Sequence, residues 1–581
     1  MQQTKPIFLI RKYRSILWAA IIVESVNFIL SLTDIFVAGN IIGVDAFAAI
    51  GIVAPFISFS TFVSSIINSG TTMNFSYQVG RFDKRRALEF FSQGVYLALI
   101  SGALYAGILS VLLHVVRPYL PADLEILEYA LQYFKVILLF FLFDPLSYLL
   151  DNLLVADGGE KLSVAANMIL IISNIILSFV FARRWGVPGV AAASVLSKLL
   201  FILIVSLHFF SRSNTLRLLF VWRWSDFLEI LRSGIVKASI YALEGLSFFL
   251  INLFALFYFD EGILVSLSMT EKYLGILTMF IGLSMAAQPL ICTLRGENNS
   301  KALRSLMRVV CIDISSAGVL LSLFTMISAP FLVEAFGIDE EPLHCDGVIA
   351  LRIVSTTLAV HAILVLFFIY YYLMDRQKLA FFIGLFKNLI SPLVLVILLC
   401  VLTKSEMGIW IGLALSPLLA LLVCAQTVYK RYSKEQFPFL LQADSDQNIY
   451  IFDFVISPGA CAEMSHTADE IISTLPVPAK VRLSACIFIE DYLMLVLEKN
   501  TGKKDIRADC TIIADNSDAR LIIRDSGRVF DVLEEDILPD SFRQYVLTNL
   551  MLAYDKKAFM TTTGYNRVEL DLNQALPAEG S

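Results

Sequence analysis

Charge is scarce in this chain of 581 residues. Only 17% are Asp, Glu, Lys or Arg, against about 25% in an ordinary soluble protein, so a single large soluble fold is excluded. The eight cysteines are scattered and form no Cys-x-x-Cys pair, so neither a zinc site nor a disulfide framework is indicated. Long apolar runs are missing after Lys430, and basic residues are nearly missing from every second loop before it. A cleavable leader is not indicated either. The first apolar run, Ile16–Phe36, follows Lys5, Arg11, Lys12 and Arg14, but it is long, contains Glu24 and Asp34, and lacks a small-residue cleavage site.

What is present is apolar: 57% hydrophobic residues and a mean hydropathy of +0.74. Runs of roughly 20 residues recur from Ile16 to Val428, each long enough to cross a ~30 Å hydrocarbon core. They predict spans near 15–38, 46–72, 90–116, 128–156, 162–183, 188–210, 233–259, 263–293, 305–336, 347–374, 379–403 and 407–429. Lipid cannot satisfy backbone polar groups, so each span is expected to be a helix. The expected organisation is an N-terminal segment 1–14, a six-helix lobe 15–210, a connecting loop 211–232, a second six-helix lobe 233–429, a linker 430–447 and a tail domain 448–581.

Lys and Arg then set orientation. Nineteen fall in the N-terminus and the loops on one side: the four above; Arg81, Lys84, Arg85, Arg86; Lys161; Arg212, Arg217, Arg223, Arg232; Arg295, Lys301, Arg304, Arg308; Arg376 and Lys378. The other side has four, Arg117, Arg183, Arg184 and Lys404, and one purely acidic loop with Asp339, Glu340, Glu341 and Asp346. The positive-inside rule therefore predicts both termini and the tail in the cytoplasm, on a plasma or bacterial inner membrane.

The lobes also echo each other. Gly80 pairs with Gly296, Asp157 with Asp375, Lys161 with Lys378 and Gly186 with Gly408, at offsets of 216, 218, 217 and 222 residues. Six helices return the chain to the same side, so the repeats are expected to be parallel, as in transporters that rock two halves about a midplane site.

Thr33-Asp-Ile-Phe-Val-Ala-Gly39 with Ala46–Pro55, Gly70-Thr-Thr, Gln78-Val-Gly80, Asp157-Gly158, Asn174–Ser178, Gly189–Ser194 and Gln288-Pro-Leu290, in this order over residues 10–430, resemble the multidrug and toxic compound extrusion (MATE) family. The resemblance implies a twelve-helix, two-lobed antiporter that expels cationic or amphipathic organic compounds against an inward flow of Na⁺ or H⁺. It implies a first-lobe cation site at Asp34, Asn174 and Ser194. Ser178 stands where the family has a second Asp, and Asp151, where the family has Asn, is expected to replace that charge from the neighbouring helix. Intramembrane carboxylates carry function by default, which singles out Glu244 and Glu271 as second-lobe substrate contacts beside Gln288. His361 reads as a packing residue and Glu271 with Lys272 as an internal ion pair.

The tail switches to alternating strands and amphipathic helices: strand 449–456, helices 460–473 and 479–499, strands 506–514 and 519–524, helix 541–555 and a hairpin 558–572. An α/β sandwich is expected. Asp525-Ser-Gly527 followed by Phe530-Asp531 resembles the adenine-reading loop of histidine-kinase-like (GHKL) ATPases of the anti-sigma-factor serine-kinase branch. That resemblance implies Glu490 on the preceding helix and a Mg²⁺-holding Asn four residues on, where this chain has Met494. Only Leu538-Pro-Asp-Ser541 replaces a glycine-rich lid. The tail is therefore expected to lack ATPase or kinase activity, serving either as a degenerate nucleotide site at Glu490, Asp525 and Gly527 or as a docking module for a regulatory protein.

Taken together, the expectation is a cation-coupled exporter in the bilayer, with Na⁺ or H⁺ as coupling ion, no resident cofactor or metal, and no nucleic-acid partner. The alternatives are a lipid-linked oligosaccharide flippase, disfavoured by the few basic residues deep in the spans, and a membrane-anchored signalling protein, disfavoured by Met494.

Overall fold

The computed structural model describes residues 6–42, 44–81, 83–116, 125–211, 214–259, 263–275, 278–335, 343–431, 439, 448–502, 505–514, 519–528, 546–547, 550, 557–562 and 565–572. The first lobe is α1 (Ile7–Val37), which runs into a π turn at Ala38–Ile42, then α2 (Val44–Gly80), α3 (Lys84–Val116), α4 (Glu125–Ala156), α5 (Glu160–Trp185) and α6 (Val187–Ser206). The second begins with α7 (Trp224–Tyr258). The expected span 263–293 is three pieces instead: α8 (Ile263–Leu274), α9 (Thr278–Met285) and α10 (Gln288–Gly296). Pro289 sits in the first turn of α10, and a proline both lacks the amide to continue a helix and turns its predecessor away from helical geometry.

After α11 (Ser300–Ala335), the expected span 347–374 is a bent pair, α12 (Leu343–Ser355) and α13 (Leu358–Leu373), with 50° between them. Two successive β-branched threonines, Thr356 and Thr357, occupy the bend. The last span is α14 (Gln377–Leu385), a π turn at Phe386–Ile390 and α15 (Ser391–Thr403), followed by α16 (Met407–Arg431). Among the described residues, eight helices are long and apolar enough to cross a membrane, or nine with the bent pair counted as one span. Leu104, Ile108 and Val111 on α3, and Leu320, Phe324 and Ile327 on α11, stand exposed along outward stripes. Apolar stripes of this length need lipid to cover them. This is a multi-pass membrane protein.

The cores show where the lobes join. Val37, Ala46, Val53, Tyr133 and Val190 belong to a cluster made of first-lobe residues only. Ile251, Leu267, Val354, Val396 and Trp410 belong to a second-lobe cluster. A third cluster contains Ile16, Ala20 and Met73 of the first lobe, Val236, Met285 and Leu290 of the second, and Ile449, Ile522 and Tyr565 of the tail. Among the described residues the lobes therefore merge at the end that carries the tail.

Among the described residues the tail is one antiparallel sheet with two long helices. β1 (Ile449–Val455), β2 (Arg507–Ala514), β3 (Ala519–Asp525), β4 (Lys557–Thr562) and β5 (Tyr565–Asp571) lie in the order β1-β2-β3-β5-β4. Successive strand residues face opposite sides. Phe452, Phe454, Cys510, Ile512, Leu521, Ile523 and Val568 form one core with α17 (Pro458–Ile472) and α18 (Ala479–Lys499). The alternate residues Ile449, Ile451, Ile513, Ile522 and Tyr565 join the core shared with the lobes. The hairpin and both first helices fall where the sequence places them; the expected helix 541–555 lies almost wholly outside the described residues.

Candidate functional site

Asp34 is a buried carboxylate three residues from the end of α1. A lone buried charge is untenable without donors, and neighbouring helices supply them. Tyr133 of α4 donates its hydroxyl to Oδ2 at 3.0 Å, and Ser194 of α6 lies 2.9 and 3.1 Å from the two carboxylate oxygens. Asn174 of α5 donates its amide to Ser194 Oγ at 3.0 Å. Each serine oxygen both accepts and donates, so Ser194 relays between Asn174 and Asp34. With its amide so committed, Asn174 keeps Oδ1 buried without a partner, and Ser178, one turn along α5, keeps its buried Oγ without one, among the described residues. A carboxylate, an amide oxygen and a hydroxyl facing inward form an all-oxygen set of the kind hard cations take. Asp34, Asn174 and Ser194 thus come together as the sequence places them; Tyr133 is a further member that no sequence signal marked.

Asp151 does not join them. Its carboxylate accepts from Ser163 Oγ at 2.6 Å and Asn167 Nδ2 at 2.8 Å, both on α5. Those residues precede Asn174 by eleven and seven positions, about 16 and 10 Å along a helix. The expected replacement of the missing Ser178 charge by Asp151 is corrected: its level on α5 is too far from Asn174 for one ion to bridge both. A different acid is buried at mid-span on α4. Asp144, next to Pro145, pairs with Lys198 of α6 at 3.0 Å and accepts from Ser60 and Ser64 of α2 at 3.1 and 2.8 Å. The intramembrane-carboxylate rule that marked Asp34 applies equally to Asp144.

In the second lobe, a narrow cavity is lined by Glu244 and Ser247 of α7, His361 of α13, Lys387 and Asn388 of the π turn, and apolar residues including Phe248, Ile251 and Leu413. A π turn carries one extra residue, which turns side chains that an α-helix would hold elsewhere. Lys387 and Asn388 face the cavity on it, with Lys387 Nζ donating to Asn388 Oδ1 at 2.7 Å. His361, expected to be a packing residue, also borders this space. Gln288 does not: it lines a small gap between the lobes with Ile16, Thr72, Asn152 and Pro289. The side chains of Glu271 and Lys272 lie outside the described residues.

The sequence profile of the MatE family matches residues 19–180. Among solved structures, a crystal structure of MATE in complex with MaL6 superposes with a TM-score of 0.68 at 18% identity, covering 74% of this chain and 97% of that one. The lobes have the MATE transporter fold. An outward-facing multidrug resistance MATE family transporter of the MOP superfamily matches with a TM-score of 0.67 at 19% identity, covering 74% of this chain and 98% of that one. A MOP superfamily transporter from Pyrococcus furiosus, described by the reverse polarity of its binding pocket, gives 0.67 at 18% identity with the same coverage of 74% and 98%. No curated protein matches the sequence. MATE family proteins are transporters, not enzymes.

In the tail, Asp525 is fully buried and its carboxylate is occupied. Tyr492 Oη donates to Oδ2 at 2.6 Å, while Gly527 N–H and Asn566 Nδ2 donate to Oδ1 at 2.8 and 3.0 Å. Burial, only partly offset by these donors, pushes its pKa up to about 6. Gly527 is required because a Cβ there would lie 2.7 Å from that Oδ1. The Asp-x-Gly loop is tied internally, with both oxygens of Asp525 accepting from the tail's own residues. Glu490 is exposed on α18. Met494 packs against the tail core. Residues 538–541 lie outside the described residues.

Proposed function

We propose that this chain is a secondary exporter of small organic molecules, driven by the inward flow of Na⁺ or H⁺, with twelve spans in two lobes and both termini in the cytoplasm. The single observation that carries the reading is the buried Asp34 with donors from α4 and α6 and the unpartnered oxygens of Asn174 and Ser178 beside it. The proton or Na⁺ is cargo here. Asp34 supplies the charge that binds it, Ser194 turns its hydroxyl to suit either state of the carboxylate, and Tyr133 holds the carboxylate in place. The second-lobe cavity supplies the substrate surface, with Glu244 to attract a cationic group and Phe248 and Ile251 to cover its apolar part.

The family profile and the matched structures support the fold on which this reading rests. The pairing of Lys198 with Asp144 speaks against a flippase, since a pyrophosphate head would need that lysine free. The tail, with its Asp-x-Gly loop tied internally, serves regulation and not catalysis. Dye efflux from inverted vesicles, driven in turn by ΔpH and ΔNa⁺, tests the proposal. The expected result is efflux under one gradient that is lost in Asp34→Asn; efflux driven by neither gradient overturns it.

A further inference from the structure

The echoed glycines of the two lobes meet. Gly80 ends α2 and Gly296 ends α10, and a Cβ built on Gly296 would lie 2.5 Å from the carbonyl carbon of Gly80. Only two glycines permit this approach, so the lobes touch backbone to backbone at the end nearest the tail. Directly over the contact lies the charged half of the tail sheet. Asp453, Arg507, Asp509, Arg520, Arg524, Arg567 and Glu569 share the face that packs on the lobes, and Asp509, Arg524 and Arg567 are wholly buried.

One side chain ties both lobes. Arg567 donates Nη1 to Val79 O and Nη2 to Gly80 O, each at 2.7 Å. These are carbonyls at the C-terminus of α2, which no further turn satisfies and where the helix dipole favours a cation. Its Nε pairs with Glu297 Oε1 at 2.8 Å. Glu297 follows α10 in the second lobe, is itself fully buried, and gives its other oxygen to Arg524, which also holds Asp509. Arg520 donates to Glu297 O at 2.9 Å and Lys301 of α11 to Ile449 O at 2.8 Å. On the first-lobe side, the Phe8 amide donates to Asp453 and its ring meets Tyr565 edge-on at 5.2 Å.

We infer that the tail is a clamp: through Arg567 it fastens the C-terminus of α2 to Glu297, holds the lobes closed at the tail end, and must let go before that end can open. This rests on the reading of the chain as an alternating-access exporter. Separation of Gly80 from Gly296 strips Arg567 either of the two carbonyls or of Glu297, leaving a buried charge without its counterpart, which is strongly unfavourable. The docked tail and a tail-side opening are therefore mutually exclusive. The partner that this sheet face fits is the chain's own pair of lobes.

The test measures lobe separation without transport. Nitroxides on Lys84→Cys at the start of α3 and Lys378→Cys on α14, both exposed, report the tail-side gap by pulsed electron–electron distance measurement on the full chain in nanodiscs. Cys311 and Cys345, the two cysteines that are not buried, are replaced by Ser. The expected result is one short distance in the parent. Glu297→Gln and Arg567→Met should each raise a longer population at least several-fold. Glu297→Gln leaves every tail residue intact, so an opened gap there is not a misfolded tail. A single short distance in both variants overturns the clamp, and so does a shift confined to Arg567→Met. The parent's dye efflux, measured separately, reveals whether the exporter reading itself has failed.

Discussion

The hydroxyl of Ser194 lies within 3.1 Å of both carboxylate oxygens of Asp34, across 160 residues of chain. That bond joins α6 to α1 at the level where Asn174 and Ser178 have oxygens unpartnered among the described residues.

The relationship predicts a graded series. Asp34→Asn abolishes gradient-driven efflux while the protein still inserts. Ser194→Ala and Tyr133→Phe each remove one hydrogen bond to a charged acceptor, about 1.5–3 kcal/mol, and change coupling-ion affinity roughly tenfold to a hundredfold. Asp151→Asn, tied to Ser163 and Asn167, leaves ion dependence unchanged. Ion-concentration curves of efflux in reconstituted vesicles check all four.

The Asp144–Lys198 pair predicts strong coupling in stability. Asp144→Asn strands a buried ammonium and costs about 3–5 kcal/mol, whereas Asp144→Asn with Lys198→Met removes both charges and loses much less. Thermal unfolding of the four proteins in a double-mutant cycle measures it. Additive losses would mean that the two charges do not depend on each other.

Two glycines on α7 should respond oppositely. A Cβ on Gly234 would sit 1.8 Å from Ile66 O of α2, whereas one on Gly245 would meet nothing within 4 Å among the described residues. Gly234→Ala is expected to cost about 1–3 kcal/mol by forcing the helices apart, and Gly245→Ala to stabilise by about 0.5–1 kcal/mol through helix propensity. Melting temperatures of both variants decide it.

Asp525 predicts a pH dependence confined to the tail. Its folded pKa is raised to about 6 by burial, against about 3.9 in an unfolded chain. Below about pH 4 both states are protonated and nothing is lost. As pH rises from about 4 to 6 the unfolded state releases its proton first, so the tail loses stability, about 3 kcal/mol in all. Hydrogen exchange of 519–525 in the full chain should therefore show weaker protection at pH 7 than at pH 4.5, after correction for intrinsic rates. Asp525→Asn should abolish the difference.

The occupied carboxylate also predicts that the full chain does not hydrolyse Mg·ATP and that Asp525→Asn changes no nucleotide binding. Turnover in purified protein that vanishes in Asp525→Asn would show that the loop opens to read a base.

Length and hydropathy were enough to mark the chain as a multi-pass helical protein, because a hydrocarbon core demands about twenty apolar residues wherever it is crossed, but not to show where spans such as 263–293 and 347–374 break. The offset of 216 residues marked Gly80 and Gly296 as counterparts, and Asp34 stood out because an acid is costly in lipid. The strands of the tail could be read from their period of two. Other features depended on which distant helices become neighbours. Asp151 and Asp34 look equivalent on paper, yet their levels on α5 differ by two turns or more, a distance only packing sets. Tyr133 is one aromatic among many until α4 brings it to Asp34. Asp525 matches a nucleotide motif in sequence, but Tyr492 and Asn566, 33 and 41 residues away, fill its oxygens. Local sequence determined elements and polarity through short-range physics; partners of buried charges, such as Arg567 and Glu297, were decided by tertiary structure, because a charge in low dielectric is paired by whatever the fold carries to it.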